Sequence, residues 1–192
     1  MFSDYVKLGN EHILDPNGYD HILFVATLCV FYSFDQWKKI LILVTAFTLG
    51  HTLTLALSAL NIVQINPTLV EILIPFTIII TALSNIYAVK NNTETSRHLT
   101  INYVIPIGFG LIHGLGFSNY FKAIIGESES VIMPLFAFNI GVETGQIVIV
   151  FMVMMAGYFL VNILKLKKHV WTISVSSIAI VISIFLLLGK LN

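Results

Sequence analysis

The sequence predicts an all-α membrane protein, a polytopic bundle of six transmembrane helices preceded by a short N-terminal segment. Composition is the first observation: 57% of the 192 residues are hydrophobic, only 10% are charged, and the mean hydropathy is +0.90. Soluble globular domains carry roughly 25% charged residues. The second observation is the distribution of the charges, which leaves long uncharged stretches between them. A soluble globular fold is therefore excluded.

Six stretches of the chain are apolar enough to be predicted as membrane spans. Five uncharged stretches cover residues 21–34, 40–70, 72–89, 98–121 and 169–189, and the sixth, residues 130–164, carries one charge, Glu143. Because a helix needs about 20 apolar residues to cross roughly 30 Å of hydrocarbon, each stretch is a candidate span. The predicted spans are residues 19–37, 40–63, 68–89, 100–121, 133–164 and 170–188.

The residues before the first span are predicted to form a short helix on the outer surface. Phe2, Tyr5, Gly9, His12 and Ile13 recur at helical spacing, which is typical of a helix lying in the membrane interface. The predicted organisation is therefore an outer interfacial segment at residues 1–18 and a six-helix transmembrane domain at residues 19–192.

The basic residues predict the orientation of the bundle. Six spans place both termini on one side, and the loops of the opposite side hold most of the basic residues: Lys38, Lys39, Lys90, Arg97, Lys165, Lys167 and Lys168. The positive-inside rule makes these loops cytoplasmic, so both termini are predicted to lie outside the cytoplasm. Acidic and basic residues are equal in number, and such a balance offers no basic surface for nucleic acid.

Five ionisable side chains are predicted to lie within the hydrocarbon: Asp20, His21, His51, His113 and Glu143. Each costs roughly 2.5 to 3.5 kcal/mol to insert, so each calls for a partner or a function. Counting about 1.5 Å per residue from the span ends places all five in the outer half of the bundle or near its midplane. His12, just before the first span, is positioned to join them.

The residue types in this group favour a metal site. Histidines and carboxylates at one depth form a nitrogen and oxygen ligand set that suits nickel, cobalt or zinc. The predicted ligands are His12, Asp20, His21, His51, His113 and Glu143. The alternative is structural, because a membrane histidine can simply bond two helices together and a protonated glutamic acid can bond a neighbouring amide or carbonyl.

Four polar side chains are predicted to support these ligands by hydrogen bonds. Asn139 and Gln146 share one helical face with Glu143, since residues three and four apart are neighbours on a helix. Thr48 and Thr54 lie three residues on either side of the histidine in the second span, where their hydroxyl groups could orient its ring.

Four sequence blocks together resemble a known family of bacterial membrane proteins. They are Gly9-Asn-Glu-His12 through Asp20-His21-Ile-Leu-Phe24, Phe47-Thr-Leu-Gly-His51-Thr-Leu-Thr54, Gly110-Leu-Ile-His113-Gly-Leu-Gly-Phe117 and Phe138-Asn-Ile-Gly-Val-Glu143-Thr-Gly-Gln146. These blocks resemble the HupE/UreJ family, in a divergent branch. The resemblance implies a multi-pass protein of the bacterial cytoplasmic membrane. It also implies a nickel or cobalt permease that accompanies hydrogenase, urease or cobalamin-related systems, and hence a metalloenzyme-maturation system as partner.

The resemblance also assigns motif positions. His12, Asp20 and His21 take the places of the family's H-x5-D-H motif, although seven residues rather than five separate His12 from Asp20. His113 matches the second His-Gly of its F-H-G-x-[AV]-H-G-x-E motif. Phe109 stands where that motif has its first histidine, and Gly116 stands where it has glutamate: these are the other two departures.

Two functions of different class account for these residues. The first is a permease for a divalent transition metal, in which one group recruits the ion from outside and a second group holds it near the midplane. The recruiting group is His12, Asp20 and His21, and the holding group is His51, His113 and Glu143. The second is an intramembrane zinc-dependent hydrolase, with three histidines as ligands and Glu143 or Asp20 as general base. A metal sensor, a haem site and an accessory scaffold remain further possibilities.

Overall fold

The computed structural model describes residues 1–16, 18–91, 99–125 and 130–191, and the regular structure in these ranges is helical. The α-helices are α1 (Phe2–Leu14), α2 (Asp20–Cys29), α3 (Trp37–Ala59), α4 (Pro67–Lys90), α5 (Leu99–Ile125), α6 (Ile132–Tyr158) and α7 (Lys168–Leu191). A 3-10 turn (Phe34–Gln36) precedes α3, and a π-helical turn (Phe159–Ile163) follows α6. Arg97, counted above among the basic residues, lies outside the described residues.

Five helical stretches are long and apolar enough to cross a membrane. They are Phe34–Ala59, Pro67–Lys90, Tyr103–Ile125, Ile132–Ile163 and Lys168–Lys190. In order along the chain they correspond to the second to sixth predicted spans. The all-helical fold and the five apolar helices are those of a multi-pass membrane protein.

The first predicted span differs from the structure. In place of one helix over residues 19–37, α2 has 10 residues, about 15 Å at 1.5 Å per residue, which is half of a crossing. Ser33 starts a new helical segment: its backbone N–H donates to Gln36 Oε1 at 3.2 Å, one of the two bonds of a capping box. The uncharged stretch 21–34 gave no sign of this interruption, so the prediction of a single continuous helix was wrong.

Helix α1 packs directly against α6. Gly9 faces the α6 backbone, and a Cβ at Gly141 would overlap the Val6 carbonyl oxygen. The two helices run parallel, because Gly141 meets Val6 and, one turn later, Gly145 meets Ile13. Small residues permit such close approach of helices in membranes. The helix predicted to lie on the outer surface thus has one face buried against the bundle.

Helix α2 continues in the direction of α1 after a break at residues 15–19. Its end reaches the last turns of α4 and the first turns of α7, because Asn85 Nδ2 donates to the Thr27 carbonyl oxygen at 2.7 Å and Thr172 Oγ1 donates to the Val30 carbonyl oxygen at 3.3 Å. With 13 and 10 residues, α1 and α2 measure about 20 and 15 Å. The first passage through the bundle is therefore a broken helix.

The two ends of the bundle carry different groups. Glu71 at the start of α4 pairs with Lys190 at the end of α7, the Nζ to Oε2 distance being 3.0 Å. We call this end, where α1 also begins, the terminal end. The opposite end, which we call the lysine end, carries Lys38, Lys39, Lys90, Lys165, Lys167 and Lys168.

Helices α3 and α5 form a second close glycine contact. A Cβ at Gly110 would overlap the Phe47 carbonyl oxygen, and a Cβ at Gly50 would overlap the backbone of α5. Further along, Gly114 lies against the His51 carbonyl. This contact sets the histidine of α3 beside the histidine that precedes Gly114 on α5.

Candidate functional site

Four histidine rings meet where α1, α2, α3 and α5 come together. The ring centroid of His21 lies 4.5 Å from that of His12, 5.8 Å from that of His51 and 5.2 Å from that of His113. The His12 and His51 centroids are 5.8 Å apart. The structure therefore brings together the four histidines that the sequence predicted as ligands, and we call them the histidine cluster.

Asp20 fixes the orientation of one ring in the cluster. Its Oδ1 accepts the backbone N–H of His21 at 2.8 Å and lies 3.1 Å from His21 Nδ1. A carboxylate in this position keeps the proton on Nδ1, so the lone pair of the ring is on Nε2. His21 Nε2 is buried, and it has no hydrogen-bond partner among the described residues.

Thr77 on α4 does the same for a second ring. Its hydroxyl donates to the Ile74 carbonyl oxygen at 2.7 Å and lies 2.9 Å from His113 Nε2. We assign the single hydroxyl proton to the shorter contact, the Ile74 carbonyl oxygen, so that the hydroxyl accepts the proton of His113 Nε2. The lone pair of His113 is therefore on Nδ1, which is buried and unpaired within the described part of the chain.

The histidine cluster as a whole is short of hydrogen-bond partners. Beside the two nitrogens already named, His12 Nε2 and both ring nitrogens of His51 are buried without a partner in the described ranges. Each such group costs about 1 to 3 kcal/mol when it is left unsatisfied. Buried imidazole nitrogens with free lone pairs are what a transition-metal cation binds.

Aromatic rings enclose the cluster on both sides. Towards the terminal end, the Phe117 ring centroid is 3.9 Å from that of His12 and 5.1 Å from that of Phe138. Towards the lysine end, the Phe24 ring centroid lies 4.8 Å from that of Phe47 and 5.2 Å from that of His113. These rings lower the local polarity, which strengthens any charge interaction inside the cluster.

One cavity connects the cluster with the terminal end. Its volume is about 270 Å³, and its walls include Asp20, His21 and His113. The same cavity is lined by Glu71 and Lys190, the ion pair of the terminal end. A small cation therefore has an approach to the cluster from that end.

Glu143 lies on a different polar surface. Its Oε1 accepts a hydrogen bond from Thr45 Oγ1 at 2.7 Å, and Thr45 precedes His51 by about 9 Å along α3. On the same seam between α3 and α6, Asn139 Oδ1 accepts from Thr52 Oγ1 at 2.6 Å. This conformation does not bring Glu143 to the histidines, and its role as a ligand stays a prediction.

The predicted supporting residues bond to other groups than the histidine rings. Thr48 Oγ1 donates to Gln146 Oε1 at 2.8 Å, and Thr54 Oγ1 lies 3.1 Å from the His51 carbonyl oxygen rather than from its ring. Asn139 and Gln146 thus hold α6 to α3. The supporting group that sequence reasoning missed is Thr77, which lies in an otherwise apolar stretch with no motif around it.

The ring nitrogens of the cluster do not converge on a common point in this structure. Among the described residues, no three His, Cys, Asp or Glu side chains are arranged to hold a metal ion. The free nitrogens nevertheless belong to rings whose centroids are within 6 Å of a neighbouring ring. Binding of a metal ion by these rings would therefore require their donor atoms to move closer together.

Comparison with known proteins places the chain in a family. Its sequence matches the family described as HupE / UreJ protein over residues 1–188. The chain belongs to the HupE / UreJ family. No curated protein matches it, and no solved structure does. The resemblance to the family is thereby confirmed. His12, Asp20, His21 and His113, which the resemblance aligned with the family's motifs, all lie in or beside the histidine cluster.

Proposed function

We propose that this HupE / UreJ protein is a permease of the bacterial cytoplasmic membrane for a divalent transition metal of the nickel or cobalt class. The observation that carries the proposal is that His21 Nε2 and His113 Nδ1 are buried without a partner among the described residues, while the other nitrogen of each ring has a polar neighbour. Membership of the family supports it, because HupE / UreJ proteins are associated with nickel and cobalt handling.

The cation enters from the terminal end in this proposal. It passes the ion pair of Glu71 and Lys190 and reaches Asp20, whose negative charge attracts it. His12 and His21 bind it first, and His51 and His113 then take it deeper into the bundle. The excess of lysines at the opposite end supports a cytoplasmic location for that end, so the direction of movement is uptake.

Weak coordination suits this function. An ion in transit must bind strongly enough to enter and weakly enough to leave. A cluster whose donor atoms must move closer together to bind an ion meets both requirements. Nickel or cobalt delivered in this way would supply a metalloenzyme-maturation system inside the cell.

One observation favours the hydrolase as second candidate. The cavity reaches the cluster from one end of the bundle, which is sufficient for an enzyme. In that case His21, His51 and His113 bind zinc and Asp20, which lines the cavity, is the general base. Glu143 is bonded to Thr45 in this conformation and is the less suitable base.

Uptake of cobalt into vesicles tests the proposal. We expect purified protein in liposomes to carry cobalt to an enclosed metal-sensitive dye. His51→Ala and His113→Ala each remove a ligand and should slow uptake by about tenfold or more. His169→Ala is the matched control, because that histidine is exposed at the start of α7, away from the cluster.

Two further results distinguish the permease from the hydrolase. Uptake that is equal in the wild type and both cluster variants would contradict the permease. Retention of one zinc per chain through purification, lost in the same variants, would instead favour the hydrolase.

A further inference from the structure

A second cavity lies between α2, α4 and α5 on the lysine side of the histidine cluster. Its volume is about 80 Å³, enough for two or three waters at about 30 Å³ each. Tyr32, Thr81, Ser84 and Asn85 provide polar groups in its walls, and Phe109 is part of the same walls. A small polar cavity in this half of a membrane bundle calls for a function.

A line of hydroxyl groups on α4 connects the cluster with this second cavity. Thr77 contacts His113 Nε2, and one turn further Thr81 Oγ1 donates to the Thr77 carbonyl oxygen at 2.8 Å. Ser84 follows at the next turn. Residues at this spacing share one helical face, so polar groups continue from the cluster towards the lysine end along an otherwise apolar helix.

Aromatic rings separate the second cavity from the cluster. Phe109 precedes His113 by one turn of α5, about 6 Å, and its ring centroid lies 6.0 Å from that of Phe24. Phe24 in turn contacts the His113 ring. The barrier between the cluster and the second cavity is therefore about one aromatic layer thick.

We propose that the second cavity is the release site of the metal path, entered when the Phe109 ring moves aside. The proposal rests on the permease function proposed above. Hydroxyl and amide oxygens bind nickel and cobalt more weakly than imidazole does. A divalent cation that passes from His113 to Thr81 and Ser84, with two or three waters completing its shell, therefore exchanges strong ligands for weak ones and leaves at the lysine end.

Cysteine labelling tests the second cavity without using metal transport. Cys29 is the one cysteine of the chain and is buried, so a Cys29→Ala background leaves no thiol. Thr81→Cys then reports on the second cavity. Leu83→Cys is the matched control, since Leu83 lies at the same depth of α4 but is 52% exposed on the outside of the bundle. A charged, membrane-impermeant thiol reagent is applied to either side of sealed vesicles.

We expect Thr81→Cys to react from the lysine side at least about tenfold faster than Leu83→Cys, because a thiol forms its reactive thiolate in water and not in lipid. From the terminal side Thr81→Cys should be protected. Adding Phe109→Ala should remove this protection by joining the two cavities. Millimolar cobalt should slow the reaction of Thr81→Cys from the lysine side.

Three results would overturn the release site. The first is equal labelling of Thr81→Cys and Leu83→Cys from the lysine side. The second is a labelling rate of Thr81→Cys that cobalt does not change. The third is continued protection of Thr81→Cys from the terminal side when Phe109→Ala is added, in a variant whose thermal unfolding shows that it has folded. The permease function itself fails on a different result: wild-type protein that binds no cobalt at the histidine cluster.

Discussion

Thr77 is the neighbour that orients the His113 ring in the proposed metal site. Its single hydroxyl proton is assigned to the Ile74 carbonyl oxygen, so the hydroxyl accepts from the imidazole. Asp20 has the same effect on His21 by a different bond. In two rings of the histidine cluster, a hydrogen bond from one ring nitrogen to a neighbouring side chain therefore decides which nitrogen keeps its lone pair.

Substitution of Thr77 by valine tests this relation. Thr77→Val keeps the shape but leaves His113 Nε2–H without an acceptor, at a cost of about 1 to 3 kcal/mol. We expect cobalt affinity, measured by visible absorption of the purified protein, to fall by about tenfold, as for other residues that orient a metal ligand. Thr77→Ser restores the hydroxyl and should restore most of the affinity. Equal affinity of the valine and serine variants would contradict the assignment.

Glycine contacts dominate the packing between the helix elements. Helix α1 lies on α6, and α3 lies on α5, with the backbone of one helix touching that of the other. Both contacts position histidines of the cluster, since His12 follows Gly9 by three residues and His51 follows Gly50 directly. The geometry of the site therefore depends on these glycines, because any larger side chain at their positions would push the helices apart.

Alanine substitutions of these glycines test the contacts. Gly50→Ala and Gly141→Ala each force a Cβ into a facing backbone carbonyl, and overpacking of this kind costs about 1 to 3 kcal/mol. Gly108→Ala is the control, because nothing lies within 4 Å of its Cβ, and alanine is better than glycine in a helix by about 1 kcal/mol. Thermal unfolding in detergent should show a lower Tm for the first two variants only. Three similar values of Tm would refute close backbone contact.

Much of this architecture could be predicted from the sequence, and the failures have physical causes. A charged residue lies at or near at least one end of each of α3 to α7, so the uncharged stretches predict those helices, although α3 ends at Ala59 inside the stretch 40–70. The helical segment that begins after α2 is capped by the bond from Ser33 to Gln36, a local signal next to an apolar stretch. Pairing of α1 with α6 depends on glycines that are more than a hundred residues apart, and no spacing rule joins them.

The meeting of the four histidines was predictable from their depth, but the position of Glu143 was not. Counting residues from the ends of the spans places the histidines and Glu143 at similar levels of the bundle. It does not say which way each side chain turns about its helix axis. The four histidines turn towards one another, whereas Glu143 turns to Thr45 on α3. The rotation of each helix about its axis is decided by how the helices pack, and this packing cannot be read from a single sequence.

At the scale of the whole molecule, the orientation in the membrane is open to direct test. The lysine end holds most of the basic residues that the structure describes, so we expect it to face the cytoplasm and both termini to face outward. Alkaline phosphatase, which is active only outside the cytoplasm, should be active when fused after residue 192 and inactive when fused after Lys90. The opposite pattern of activities would reverse the orientation and turn the proposed uptake into export.

The break between α1 and α2 affects how the protein inserts into the membrane during synthesis. Neither α1, which carries Asp4, Lys7 and Glu11, nor the ten residues of α2 is a sufficient insertion signal during synthesis, because a spanning helix needs about 20 apolar residues. Helix α1 finds its partner only when α6 has left the ribosome. The N-terminal segment, and His12 with it, therefore takes its place late, and the four rings of the histidine cluster meet only after α6 has been made.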